Sequence, residues 1–194
     1  MVSLGILGSV GSGKSFVAKI FTKLGFDVFS ADNEVIKIYQ NDKTVNKKIS
    51  KFFKLKLYNN RINKAELREF IKKYPKKFKF LNKIIHPLVR KELINFLEKN
   101  KNKKLVILDV PLLIENKLFK FVDIFVYIKT KSGAFNSRIV KRKNLDHLFL
   151  KILRKQQVGE KIKEGYADFV IFNNSKSKVK LQIKNIINKI FLND

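Results

Sequence analysis

Apolar positions along this chain follow two rhythms, one of strands and one of helices. Val2-Ser3-Leu4-Gly5-Ile6-Leu7 is apolar or small throughout, as a parallel strand covered on both faces requires. Beyond a glycine-rich stretch, Phe16, Val17, Ile20, Phe21 and Leu24 recur at helical spacing, and Gly25 stands where a helix C-terminus takes a left-handed residue. Val28-Phe29 reads as a short second strand ending at Ser30-Ala31-Asp32. Asp32 then opens a helical pattern through Val35, Ile36 and Tyr39. From about Lys43 to Asn100 the strand rhythm vanishes. Helical intervals there take in Val45, Ile49 and Phe53, then Leu67, Phe70 and Ile71, then Leu81, Ile84, Ile85, Val89 and Leu93, with Asn59-Asn60 and Tyr74-Pro75 as punctuation. Strands resume at 105–108, closing on Asp109, and again at 124–128 and 169–172. Ser132 is placed to cap a helix that carries Arg138 and Arg142 on one face, since positions four apart are neighbours. Residues 144–163 read as basic and helical, and 179–191 as a closing amphipathic helix.

Strands alternating with helices predict an α/β fold, three layers deep, around a five-stranded parallel sheet. The pattern divides one compact chain into a core of residues 1–42 and 101–194, with a helical lid at about 138–165, and a helical insertion of residues 43–100. Ligands of such sheets bind beyond the carboxyl ends of the strands. Ser30, Asp32, Asp109 and the glycine-rich stretch all lie at such ends.

Composition narrows the class. At 194 residues with 45% hydrophobic positions, the chain can bury a real core. No apolar run is long enough for a transmembrane helix. A cleaved leader is not expected, because the first apolar run leads straight into the glycine-rich loop. Cysteine is absent, so disulfides, thiolate metal sites and cysteine nucleophiles are excluded, and a cytoplasmic setting is expected. The formal net charge of +27 invites a nucleic-acid reading. The excess is nearly all Lys, however, and it is spread along the whole length without an aromatic-interleaved patch. With Asn, Ile and Phe abundant as well, this reads as codon bias at tolerant surface positions. The expectation is therefore no nucleic-acid and no membrane partner, with a modest steering of anionic substrates. Arg occurs only at positions 61, 68, 90, 138, 142 and 154, so each is more informative than any Lys.

The strongest local motif is Gly8-Ser-Val-Gly11-Ser12-Gly13-Lys14-Ser15, which fits G-x-x-x-x-G-K-[ST] between a strand and a helix. A plain Gly/Ser turn is the alternative, but the flanking strand and helix are the context that a phosphate loop needs. Such a loop aims backbone N–H groups inward, and the next helix N-terminus adds positive potential. Lys14 is placed to reach the β- and γ-phosphates of ATP, and Ser15 to ligate Mg²⁺. Asp32 is either a base for an attacking hydroxyl or a helix N-cap. Asp109 is either a Mg²⁺ ligand or a strand-end acid with local hydrogen bonds. Arg138 and Arg142 are either phosphate clamps on a lid or solvated surface residues. His86, before Pro87, is expected in a turn or extended conformation, as a ligand contact or a locally satisfied residue. His147 reads as surface.

These segments together resemble the dephospho-coenzyme A kinase family of P-loop kinases, over nearly the whole chain. The resemblance rests on the phosphate loop with Ser30-Ala31-Asp32, on residues 60–67, on Ile85-His86-Pro87-Leu88-Val89-Arg90, and on Leu108-Asp109-Val110-Pro111-Leu112-Leu113-Ile114-Glu115. It also rests on residues 138–142, on Gln156 or Gln157, and on Ala167-Asp168-Phe169-Val170-Ile171 with Asn173-Asn174 behind. It implies transfer of phosphate from ATP to the ribose 3′-hydroxyl of dephospho-coenzyme A; a monomer or weak oligomer is expected. Residue by residue, it implies that Asp32 is the base, that residues 11–16, with Gly11, Ser12, Gly13, Lys14, Ser15 and Phe16, bind ATP phosphates beside Gly8, and that Asn173 lies near the adenine. It further implies that His86, Pro111, Leu112 and Glu115 line the acceptor side and that Arg142 sits in the lid. The chain departs from the family pattern at Ser30, where an acid is usual, at Asn63-Lys64 for Asp-Arg, at Phe16 for Thr or Ser, and at Lys143 for an acid. An early-lid arginine falls in uncertain register, with Arg154 a candidate. Another small-molecule P-loop kinase and a nucleic-acid-associated NTPase are the competing functions.

Overall fold

The computed structural model describes residues 1–130 and 146–192. The chain runs β1 (Val2–Leu7), α1 (Lys14–Lys23), β2 (Asp27–Ser30), α2 (Ala31–Asn41), α3 (Lys43–Phe53), β3 (Leu57–Tyr58), β4 (Arg61–Ile62), α4 (Lys64–Lys73) and α5 (Phe78–Lys99). It continues through β5 (Leu105–Asp109), β6 (Ile124–Lys129), α6 (His147–Arg154), α7 (Glu160–Gly165), β7 (Phe169–Phe172) and α8 (Lys176–Leu192), with 3-10 turns at Pro75–Lys77 and Phe119–Phe121.

The five longer strands form one parallel sheet in the order β2-β5-β1-β6-β7. β1 is central, paired to β5 through Leu4↔Ile107 and to β6 through Leu4↔Ile124. The connection from β1 leaves toward β2 on one side, and that from β6 leaves toward β7 on the other. A crevice therefore opens beside the carboxyl end of β1, where such sheets take ligands. Side chains alternate across the sheet with a period of two. Leu4, Ile6, Ile107, Val126 and Ile128 face one helical layer, where they meet Val17 and Phe21 of α1 and Val179, Ile183 and Ile186 of α8. Leu7, Phe29, Leu108 and Tyr127 face the other layer, built on Ile49, Leu67, Ile71, Leu81, Ile85 and Leu93. This is the three-layer α/β/α arrangement that the alternating pattern predicts.

Local chemistry explains the boundaries. α1 ends in a Schellman closure, with Phe26 N–H on the Phe21 carbonyl and Gly25 N–H on that of Thr22, and Gly25 has φ +89°. Ser30 Oγ accepts from Asn33 N–H and caps α2. Asn63 caps α4 by accepting from Ala65 N–H at 2.9 Å. Two family departures thus serve as helix caps here.

Three expectations need correction. The insertion is not purely helical, because β3 and β4 form an antiparallel hairpin with Tyr58↔Arg61. Its two-residue turn is Asn59-Asn60, at φ +51° and +61°, the pair of left-handed residues that a type I′ hairpin demands. His86 is helical rather than extended, since Pro87 lies inside the 22-residue α5. Proline removes one N–H from the ladder, the partner of the Lys83 carbonyl. Pro87 and Lys83 are both exposed, so water can take that carbonyl. The basic stretch after residue 145 is not one helix: α6 and α7 are separated by residues 155–159.

Candidate active site

The loop between β1 and α1 turns through Gly8, Gly11 and Gly13 at φ +152°, +89° and +96°. Only glycine fits at Gly8: a Cβ there would stand 2.5 Å from Ser12 Oγ and 3.3 Å from the Ile128 carbonyl oxygen. Two donors hold the Ser12 carbonyl from outside the loop, Thr130 Oγ1 at 2.9 Å and Asn173 Nδ2 at 2.8 Å. That bracing keeps a backbone oxygen from facing the cradle. Ser12 Oγ is buried and has no hydrogen-bond partner among the described residues. α1 starts at Lys14 with no acid in its first turn, so its positive end is left for an anion.

Lys14 is buried under this loop. Its Nζ donates to the carbonyls of Gly8 at 2.7 Å and Ser9 at 3.1 Å. Burial lowers its pKa to about 8, against the pull of Asp109 and Asp32 and with the push of Lys163. A desolvated ammonium whose hydrogen bonds among the described residues go to two carbonyl oxygens gains from an arriving phosphate.

Two carboxylates face it. Asp109 ends β5, 8% exposed, in register with Ser30 at the end of β2. Asp32 sits in the first turn of α2, two positions past the point of capping, because Ser30 holds that role. The pKa of Asp32 is raised by desolvation, with Lys14 opposing. That of Asp109 is raised by burial and secondarily by Asp32, again with Lys14 opposing. A cation beside two desolvated acids would offset the burial that raises both.

A cavity of about 1000 Å³ opens between the loop and α5. Gly11, Gly13, Lys14, Ser15, Phe16, Asp32 and Asp109 line one end. His86, Pro111 and Leu112 line the other walls, with Asn82, Arg90, Asn116 and Gln157. Burial lowers the His86 pKa, which favours the neutral imidazole.

Gly8, Ser12, Asn173 and Glu115 do not line this cavity; the first three shape or brace the loop. Glu115 faces the segment after α6 instead, where its Oε1 accepts from Val158 N–H at 2.7 Å and lies 4.0 Å from Lys163 Nζ. Arg138, Arg142, Lys143 and Ser132 lie outside the described residues. Arg154 closes α6 and is exposed.

Sequence reasoning named Gln156 or Gln157 only as part of a family segment and did not single out Ser9, Glu160 or Lys163, which join the two sides. Gln157 bridges them: its Oε1 accepts from Val10 N–H at 3.2 Å, and its Nε2 donates to the Pro111 carbonyl at 3.1 Å. Ser9 Oγ donates to Glu160 at 2.6 Å. Lys163, on α7, is buried, and burial lowers its pKa against Glu115 and Glu160. None of these contacts has a local sequence signal.

A family model described as dephospho-CoA kinase matches residues 2–179. The chain belongs to the dephospho-CoA kinase family. A dephospho-CoA kinase from a Wolbachia endosymbiont of Brugia malayi is 33% identical over 192 residues, covering 97% of this chain and 98% of that protein. A solved structure of the dephospho-CoA kinase from Campylobacter jejuni is 25% identical, with a TM-score of 0.66, covering 97% of this chain and 96% of that one. A structure from Thermus thermophilus, at 23% identity and a TM-score of 0.79, shares the fold over 97% of both chains.

Proposed function

We propose that this chain transfers the γ-phosphoryl group of ATP to the ribose 3′-hydroxyl of dephospho-coenzyme A, giving coenzyme A and ADP. This is the last step of coenzyme A synthesis. The observation that carries the reading is the shared cavity, with the phosphate loop, Lys14, Asp32 and Asp109 at one end and the α5 wall at the other. It occurs in a chain that the family matches almost end to end.

Phosphoryl transfer asks a protein for positioning and charge neutralisation. The loop N–H groups and the start of α1 hold the phosphates, and Gly8 and the braced Ser12 keep the cradle open. Lys14 exchanges its two carbonyl partners for phosphate oxygens and follows the charge that develops during transfer. Asp32 accepts the proton of the attacking hydroxyl, and its raised pKa makes it a stronger base than a solvated aspartate. Asn173 lies behind the loop on the adenine side. Residues 43–100, with His86, and the turn carrying Pro111, Leu112 and Glu115 form the acceptor side. A phosphate-clamping role for Arg138 and Arg142 is part of this reading, and both lie outside the described residues.

The donors fit Mg²⁺. Ser15 is exposed at the start of α1, and Asp109 is a buried carboxylate whose charge is strained by Asp32. Among the described residues no group of three or more His, Cys, Asp or Glu makes a complete metal site. That suits an ion that takes most of its ligands from phosphate and water. Ser15 and Asp109 would hold it, and when bound it would neutralise charge shared by the transferring and leaving phosphates.

The reading includes a cytoplasmic setting, a monomer or weak oligomer, and no nucleic-acid or membrane partner. The scattered lysines support that reading, and no described helix is long and apolar enough to cross a membrane. A panel of acceptors with γ-labelled ATP tests the activity. Label is expected on dephospho-coenzyme A. Label on a nucleoside monophosphate but not on dephospho-coenzyme A overturns the reading.

A further inference from the structure

We infer that Gln157 is a positioning residue for phosphoryl transfer: its carboxamide sets the phosphate loop against the turn after β5, so that the γ-phosphate and the attacking hydroxyl meet in line. The inference rests on the proposed function for the reaction itself.

β1 and β5 are neighbours in the sheet, so the loop after β1 and the turn after β5 leave it side by side. Gln157 reaches both from the stretch that joins α6 to α7. Its Oε1 accepts from Val10 N–H at 3.2 Å, and its Nε2 donates to the Pro111 carbonyl at 3.1 Å. Val10, Pro111 and Gln157 all line the cavity. The partners settle which end of the amide is oxygen: a backbone N–H can only donate, and proline offers only a carbonyl. An ionised carboxylate or an ammonium in this place could satisfy one partner and not the other. With both ends engaged by backbone, the carboxamide acts through the two segments it holds.

Both segments have reason to need a spacer. The donor loop turns through Gly8, Gly11 and Gly13, all at positive φ, and glycine backbone is the most pliable. Thr130 and Asn173 brace it at the Ser12 carbonyl, which leaves the Ser9-Val10 limb to the α6–α7 stretch. Pro111 stands two residues past Asp109, and with Leu112 it belongs to the acceptor side of the proposed function. Two other contacts already dock the stretch: Ser9 Oγ donates to Glu160 at 2.6 Å, and Glu115 accepts from Val158 N–H at 2.7 Å. Gln157 is therefore not needed to keep the stretch in place. What it adds is a direct tie between the donor loop and the acceptor turn. In-line transfer depends on that spacing, since a displacement of about 1 Å can cost about 100-fold in rate.

Steady-state kinetics with both substrates varied test this on Gln157→Met and Gln157→Asn. Methionine fills the space and makes neither bond. Asparagine keeps both groups but draws them back by one methylene, so the right chemistry stands in the wrong place. Each variant should lower kcat about 10- to 100-fold, the order expected of reacting atoms displaced by about 1 Å. The KM for ATP and that for dephospho-coenzyme A should each stay within about threefold, because each side keeps its own contacts. Circular dichroism should show both variants folded; if Gln157→Met unfolds, Gln157→Asn carries the test. A kcat within about twofold of wild type overturns the inference. So does a raised KM for ATP at unchanged kcat, which marks a brace of the donor loop alone. A wild-type chain that leaves dephospho-coenzyme A unphosphorylated overturns the proposed function and the inference with it, whereas variants that match an active wild type overturn the inference alone.

Discussion

Truncating Glu115 to alanine breaks the tie between the turn after β5 and the segment that runs back over the phosphate loop. Glu115 Oε1 takes the Val158 N–H at 2.7 Å and stands 4.0 Å from Lys163 Nζ. The two charged side chains are 11% and 3% exposed. At 4.0 Å, opposite charges attract by about 4 kcal/mol at an effective dielectric constant of about 20. Desolvation of both groups offsets most of that, so the intact pair adds little net stability. Removing one partner has a larger effect. Lys163 stays buried without its nearest counter-charge, and the Val158 N–H loses its acceptor. Together these should cost about 3–5 kcal/mol. Glu160 also acts on Lys163, but it is engaged by Ser9 Oγ, which favours the lower end of that range. Glu115→Gln keeps an oxygen for Val158 and loses only the charge, so its loss should be smaller. Pairing Glu115→Ala with Lys163→Met removes both charges and should recover part of the stability. Urea unfolding at pH 7 reads the wild type, both Glu115 variants, Lys163→Met alone and the double variant. A loss under about 1 kcal/mol for Glu115→Ala, or a double variant at the sum of the singles, would refute the buried-pair account.

Lys14 supplies a pH prediction. Its folded pKa of about 8 lies below the ordinary 10.5, so between these values the unfolded chain binds more protons and stability of the nucleotide-free protein rises with pH. The rise is about 3 kcal/mol at most, and thermal melts of Lys14→Met should lack it; the same slope in the variant would contradict the assignment. Lys14→Met should also abolish most turnover without unfolding the protein. Asp32→Asn should lower kcat about 100-fold or more, leave the KM for ATP within about threefold, and not reduce stability, because it relieves a strained carboxylate; a collapse of ATP affinity would mean that Asp32 acts through the metal or the fold. Gly8→Ala should weaken ATP binding by forcing Ser12 and the Ile128 backbone apart, read by calorimetric titration, and wild-type affinity would show the loop to be more pliable than its contacts imply.

The sequence was most legible where one local rule decides the structure. Residues 2–25 announce strand, phosphate loop, helix and closing Gly25, and each follows from spacing or glycine geometry. Asn59-Asn60 carried a hairpin signal that punctuation alone did not convey, because flanking strands of two residues have no period to detect. Pro87 pointed away from helix, yet the apolar face of α5, from Leu81 through Leu93, outweighs one missing backbone bond. Asp32 was ambiguous between cap and base until Ser30 took the cap. Glu115 was legible as a motif residue but not in its contacts, since Val158 lies 43 positions away. The contacts of Gln157 and Lys163 were hidden for the same reason: they come from which elements the sheet brings together.

Phosphorus NMR of the products formed from ATP and dephospho-coenzyme A tests the central claim most directly. The account predicts one ADP for each new phosphate monoester, with the monoester on the ribose 3′-oxygen and no ADP formed without acceptor. ADP release that ignores the acceptor, or a phosphate placed on any other oxygen, would contradict it.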